Sequence, residues 1–180
     1  MRILSIDPGT NCTGVSILEY RDAPFVLFSE TIYAEKMLYQ QPYIEEIHGS
    51  RFARIYITAS HIEKLLYIYK PDIVVSESPY MGKFANSFAA LTELITSIRM
   101  MTFHYNDRLE FVLIDPASVK KFMGVSGKSG DKELMRKALT KQQLSYESSI
   151  SINNLDEHAV DSIAIGLWLI DKLCSIHYGS

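Results

Sequence analysis

"RILSIDPGTNCTGVSIL", Arg2 to Leu18, decides how the chain is read. Apolar residues climb to Ile6, and the chain then places a carboxylate, Asp7, with Pro8, Gly9 and Thr10 directly behind it. Residues 2–7 are short and apolar on both faces, the mark of a central strand. An ionised carboxylate at the end of such a strand is costly unless it is paired or binds a metal. After the turn at 8–11, residues 13–19 and 25–33 read as two more strands joined by a short connection at 21–24. Three strands so closely linked predict an antiparallel meander.

Further along, the pattern changes. Residues 34–48 read as irregular. Ile55, Ala59, Ile62, Leu66 and Tyr69 recur at helical spacing over about 50–69, and Pro71 stops that helix. Residues 72–76 form a short apolar strand that ends at Glu77, Ser78 and Pro79. A second helix is predicted over about 83–104, with the stripe Phe84, Phe88, Leu91, Ile95 and Ile98. Residues 110–114 make a fifth strand, closed by Asp115 and Pro116. Short helices at 117–123 and 131–143 flank a loop carrying Gly124, Gly127 and Gly130, and residues 145–153 read as a polar loop. Asn154 is placed to cap a last helix, with Glu157 at its third position. The order predicts an α/β domain spanning 1–180: a mixed five-stranded sheet, antiparallel meander plus parallel strands, flanked by helices.

The carboxylates fall at telling places. Asp7 and Glu77 each follow an apolar strand and precede a turn-forming proline. If the first and fourth strands are parallel neighbours, the two acids stand side by side in the crevice where such sheets bind ligands. Like charges that close require a shared proton or a cation. His158 and Asp161, three residues apart, share one face of the last helix, whose following residues are apolar nearly all round. Plainer readings exist for each: Asp7 as a turn former, Glu77 paired with a lysine, Asp161 paired with Arg99 or His158. Asp156 and Glu157 suit the first helical turn and carry no chemistry in this reading. Taken jointly, the oxygen-rich set predicts a site for Mg²⁺, with Mn²⁺ also tolerated. Two such cations ~3.5–4 Å apart serve in-line displacement at phosphorus. Asp7 would bridge them, Glu77 and Asp161 would each lean to one, and His158 would ligate or orient the water.

The bulk numbers exclude some classes. A net charge of −3 argues on its own against nucleic-acid binding. The distribution is uneven, however. Residues 1–50 hold three Lys/Arg against seven Asp/Glu, whereas 118–141 hold seven Lys/Arg (Lys120, Lys121, Lys128, Lys132, Arg136, Lys137, Lys141) against Asp131 and Glu133, a local net of +5. That segment reads either as a solvated helix face or as a phosphate-holding patch. No apolar run reaches the ~20 residues of a membrane span. Cys12 and Cys174 form no motif, so a cytoplasmic chain with free thiols is expected.

The stretches "SIDPGTNCTG", "VVSESPYMGKFANS", "DPASVKKFMG", "GDKELM" and "HAVDSIAIG" occur in the order seen in RuvC-type Holliday junction resolvases, and the resemblance runs from Arg2 to about Ile170. The family resemblance implies an RNase H-like fold, a homodimer, two Mg²⁺ or Mn²⁺ ions per active site and paired nicks across a four-way DNA junction. Carried onto this chain, the metal-site positions fall on Asp7, Glu77, His158 and Asp161. The wedge aromatic falls on Tyr80, with Lys83 in the same element. The active-site lysines fall on Lys120 or Lys121 and on Lys132. Lys128 and Arg136 belong with the DNA-holding patch. Two other enzyme readings stand beside this one. One is a debranching nuclease for flaps and forks. The other is a fragment of an actin-like ATPase, whose first phosphate loop resembles Asp7-Pro8-Gly9-Thr10 through Thr13-Gly14.

Overall fold

Alternation along the first strand sets the layers. The computed structural model describes residues 1–81, 84–125 and 132–177. In β1 (Arg2–Asp7), Ile3 packs into a core shared with the last helix, while Leu4 and Ile6 pack into a second core on the opposite side. A strand buried on both faces must lie inside its sheet, and β1 does. It pairs antiparallel with β2 (Cys12–Tyr20) and parallel with β4 (Ile73–Glu77). β2 continues the meander into β3 (Pro24–Tyr33), and β5 (Glu110–Ile114) extends the parallel side. The sheet order is β5-β4-β1-β2-β3-β6.

One face carries α3 (Ser50–Tyr69) and α4 (Ala85–Tyr105), through Ile55, Ala59, Ile62, Leu66, Leu94 and Ile98. The other carries α5 (Pro116–Phe122), α6 (Lys132–Thr140) and α7 (Glu157–His177). Val160, Ile163, Ala164, Leu167 and Ile170 of α7 are buried there. Each large aliphatic side chain so buried contributes about 1.5–3 kcal/mol, so α7 is firmly seated.

The mixed topology and the parallel pairing of β1 with β4 agree with the sequence reading, and four details differ. The sheet has six strands among the described residues rather than five, because Ser145–Tyr146 forms β6 beside Phe25 and Val26. A two-residue strand in a polar stretch leaves no alternation to read. Residues expected to be irregular form α1 (Ala34–Leu38) and α2 (Pro42–His48), which bury Ala34, Leu38 and Ile44 against Ala53 and Ile57 of α3. Helices of five and seven residues are too short to show a period. The α4 stripe is buried only from Leu94 onward; Phe84 is 73% exposed, and Phe88 and Leu91 are half-buried. Finally, α7 starts later than expected. Asp156, not Asn154, is its cap: the Asp156 carboxylate accepts the Ala159 N–H at 3.1 Å, and Asn154 ends a separate 3₁₀ turn (Ile152–Asn154).

Candidate active site

The two strand-end acids share a face because of the pleat. Side chains two apart point the same way, so Asp7 follows Ile3 and Ser5 toward α7, and Glu77 follows Ile73 and Val75. The parallel ladder pairs Ile6 with Ser76 as its last step. Asp7 and Glu77 are the next residues along, at the carboxyl ends of adjacent strands.

α7 lies close over those ends because β2 yields space. Gly14 pairs with Asp7 across the sheet, and a Cβ there would fall 1.9 Å from the His158 carbonyl oxygen. Only the missing side chain lets the first turn of α7 rest on the strand. Farther along, a Cβ on Gly166 would meet Leu18 Cδ1 at 2.6 Å and Ser5 Oγ at 3.0 Å. Buried hydroxyls stitch the same interface: the Ser16 and Ser162 Oγ atoms are 2.5 Å apart, and Ser162 donates to the Ala159 carbonyl at 2.8 Å. The result places His158 Nδ1 2.9 Å from Asp7 Oδ2, with His158 Nε2 3.9 Å from Glu157 Oε1.

The charges of these groups act on one another. Burial first, then the charges of Asp7 and Asp161, push the Glu77 carboxyl up to about 8. Burial and then Asp7 push Asp161 up to about 7, partly offset by His158 and Lys120. His158 is raised chiefly by its hydrogen bond to Asp7, against the opposing effect of burial. Among the described residues, neither Glu77 nor Asp161 has a salt bridge, with a lysine or with Arg99. Asp161 does feel the His158 charge. No three His, Cys, Asp or Glu side chains among the described residues stand as a ready-made metal cage. Three carboxylates and an imidazole, two of the acids mostly buried and repelling, nonetheless form a donor set suited to a hard divalent cation.

Around this centre the other expected residues are unevenly placed. Lys120 of α5 acts on both Glu77 and Asp161. Lys121, beside it, is exposed, and its carbonyl closes the helix end by accepting the Gly124 N–H. Tyr80, just past β4, is 74% exposed. The Lys132 backbone opens α6. Lys83 and Lys128 lie outside the described residues. Arg136, expected among the DNA-holding residues, is engaged within the chain. Its guanidinium donates to the Ile152 carbonyl and, at 2.7 Å, to the Leu155 carbonyl, clamping α6 to the segment that enters α7.

Asp115 was passed over in the sequence. It directly follows β5, precedes Pro116, and adds its charge to the Glu77 environment. The same signal that marks Asp7 and Glu77, an apolar strand then an acid then a proline, was present there.

The chain is 27% identical over 171 residues to the crossover junction endodeoxyribonuclease RuvC of Chloroherpeton thalassium (strain ATCC 35110 / GB-78), a match covering 93% of this chain and 80% of that relative. Its fold is similar to that of T. thermophilus RuvC in complex with Holliday junction substrate, at TM-score 0.64 and 17% identity over 93% of this chain and 92% of the other. It is also similar to the yeast mitochondrial Holliday junction resolvase Ydc2, at TM-score 0.65 and 12% identity over 92% and 76% of the two chains. A third similar structure is the fowlpox virus resolvase with its substrate Holliday junction DNA, at TM-score 0.56 and 17% identity over 96% and 99%. No protein-family model matches the chain.

Proposed function

We propose that this chain, a RuvC-type protein with an RNase H-like fold, is a metal-dependent endodeoxyribonuclease that resolves four-way DNA junctions by paired symmetric nicks. The reading is supported by the 2.9 Å contact of Asp7 with His158, by Glu77 at the end of the strand adjacent to β1, and by Asp161 three residues on from His158 in α7. The donor set fits two Mg²⁺ ions, with Mn²⁺ as an active substitute. When bound, two such ions supply an activated water and a charge clamp on the leaving oxygen. Asp7 would be the shared ligand; its charge acts on both other acids. Glu77 and Asp161 would each hold one ion. The Asp7 hydrogen bond fixes the orientation of the His158 ring, which would ligate an ion or orient water. Lys120 places a cation beside the acids, where a scissile phosphate would lie.

DNA would be held by Lys120, Lys121, Lys83, Lys128 and Lys132, with Tyr80 as the stacking wedge at the branch. Arg136 supports α6 rather than phosphate. The chain acts as a homodimer, because a two-fold protein matches the near two-fold symmetry of a junction cut twice. The half-buried Phe88 and Leu91 and the exposed Phe84 on the amino-terminal half of α4 suit that contact. Among the described residues no helix is long and apolar enough to cross a membrane; a cytoplasmic site of action is part of the proposal. The actin-like alternative is not favoured, since similarity to resolvases spans 93% of the chain.

The test is cleavage of labelled four-way junction, flap and linear duplex, with and without Mg²⁺ or Mn²⁺, alongside Asp7→Asn. Symmetric junction nicks that need metal and vanish in the variant are expected. Cutting by Asp7→Asn would overturn the site, and equal cutting of linear duplex would overturn the junction preference.

A further inference from the structure

The carboxylate of Asp156 is used from three directions. Its Oδ1 accepts the Ala159 N–H of α7 at 3.1 Å and the Thr31 hydroxyl of β3; its Oδ2 accepts the Tyr33 hydroxyl, also of β3. The Asp156 backbone carbonyl takes the Val160 N–H at 3.1 Å. Thus one side chain both caps α7 and ties it to a strand 125 residues earlier in sequence. Two residues on, His158 reaches Asp7 at 2.9 Å. The same stretch is also held by Ser29 of β3, which donates to the Ala159 carbonyl at 3.4 Å, by the Ser16–Ser162 contact and by Arg136 at the Leu155 carbonyl, while the bare approach to Gly14 permits the position and does not enforce it. Lys36 lies 4.1 Å over the Tyr33 ring and steadies the tyrosine that reaches Asp156.

We propose that Thr31, Tyr33 and Asp156 are positioning residues that brace the first turn of α7 and so fix the His158 imidazole against Asp7 in the cleavage site. The inference rests on the nuclease reading for what the imidazole does, and on this geometry alone for what holds it. Partners that orient a ligating histidine are worth roughly 10–100-fold in metal affinity. Removing both hydroxyls leaves the cap to the Ala159 N–H and the Ser29 contact in place but cuts the ties from the Asp156 carboxylate to β3.

The experiment compares wild-type protein with Thr31→Val/Tyr33→Phe and with Thr31→Ser. The readouts are histidine side-chain ¹⁵N resonances without added metal, Mn²⁺ affinity by direct titration, and the thermal midpoint. The double variant is expected to fold, to shift the His158 resonances away from their Asp7-bonded position, and to weaken Mn²⁺ binding by roughly tenfold. Thr31→Ser, which keeps the hydroxyl, is expected to match wild type. Unchanged His158 resonances and unchanged Mn²⁺ affinity in the double variant would overturn the brace. If that variant does not fold, Asp156→Asn is read the same way. It keeps a capping oxygen and turns an amide, which cannot accept, toward one of the hydroxyls. An inert Asp7→Asn beside an unperturbed double variant defeats the brace alone. A wild-type protein that binds no Mn²⁺ but whose His158 resonances respond to the double variant defeats the nuclease reading and leaves the brace intact.

Discussion

His158 Nδ1 and Asp7 Oδ2 stand 2.9 Å apart although 151 residues separate them in the chain. The contact joins the end of the central strand to the first turn of the most buried helix. Everything else in the site is arranged about that pair: Glu77 one strand over, Asp161 one helical turn on, Lys120 at the side.

Loss of Asp7 charge is expected to be the most damaging conservative change. Cation stabilisation of a phosphoryl transition state is worth several kcal/mol, and each 1.36 kcal/mol is tenfold in rate. Asp7→Asn is therefore expected to cut junction cleavage by about 10²-fold or more while leaving junction binding in place. Single-turnover cleavage and a binding titration in Ca²⁺ check the two halves separately.

Crowded acids also make the metal-free protein sensitive to pH. Glu77 and Asp161 are raised to about 8 and about 7 in the folded state. From the ordinary carboxylate range upward, the folded chain holds protons that the unfolded chain has released. Stability therefore falls as pH rises through that window and levels off above about 8. The His158 contribution has the same sign, being present below the unfolded value and lost as pH passes the raised one. The expected loss is on the order of a few kcal/mol. Thermal midpoints without metal should drop between pH 5 and pH 8.5, both values chosen to bracket roughly the carboxylate and raised ranges. Added Mg²⁺ should raise the midpoint more at the upper pH, and Glu77→Gln should stabilise the metal-free protein there. A midpoint that rises with pH, or one that Glu77→Gln lowers, contradicts this account.

Much of this site was legible in the sequence because charge in an apolar context is conspicuous. Asp7 and Glu77 end apolar strands, and Asp161 stands just before the apolar run of the last helix, so each poses the same energetic question. The mixed sheet followed from short connections and a buried first strand. What stayed hidden depends on partners far away in sequence. Asp156 looks like an ordinary first-turn acid until Thr31 and Tyr33 fold against it. Arg136 sits in a run of basic residues and reads as a phosphate contact, because nothing local shows the carbonyls it clamps. The helices α1 and α2 and the strand β6 are too short to impose a period on the residues that form them.

Two glycines at the contact between β2 and α7, Gly14 on the strand and Gly166 on the helix, should respond differently to the same substitution. A Cβ at Gly14 meets backbone, at 1.9 Å from the His158 oxygen, whereas one at Gly166 first meets the end of the Leu18 side chain at 2.6 Å. Leu18 can turn; the helix backbone cannot move without carrying His158 off Asp7. Overpacking costs typically about 1–3 kcal/mol, so Gly166→Ala should fall near the low end of that range and Gly14→Ala at or above its top. Urea denaturation midpoints give the comparison. Gly14→Ala should also lose cleavage under conditions where it remains folded.

Arg136 and Lys120 separate structure from phosphate binding within one basic segment. Arg136 donates to two main-chain carbonyls at the entrance to α7, and its side chain is only 19% exposed. Arg136→Ala strips both carbonyls of a charged donor, which costs about 1–3 kcal/mol, and it loosens the turn that carries His158. Its effect should appear as a lowered thermal midpoint with the salt dependence of junction affinity unchanged. Lys120 is exposed, and its charge acts on Glu77 and Asp161. Lys120→Ala should keep the midpoint near wild type, reduce cleavage, and lower the salt slope of binding by about 1 if it contacts a phosphate. A reversal of the two patterns, with Arg136→Ala changing the salt slope and Lys120→Ala unfolding the protein, would return Arg136 to the DNA surface and remove Lys120 from it.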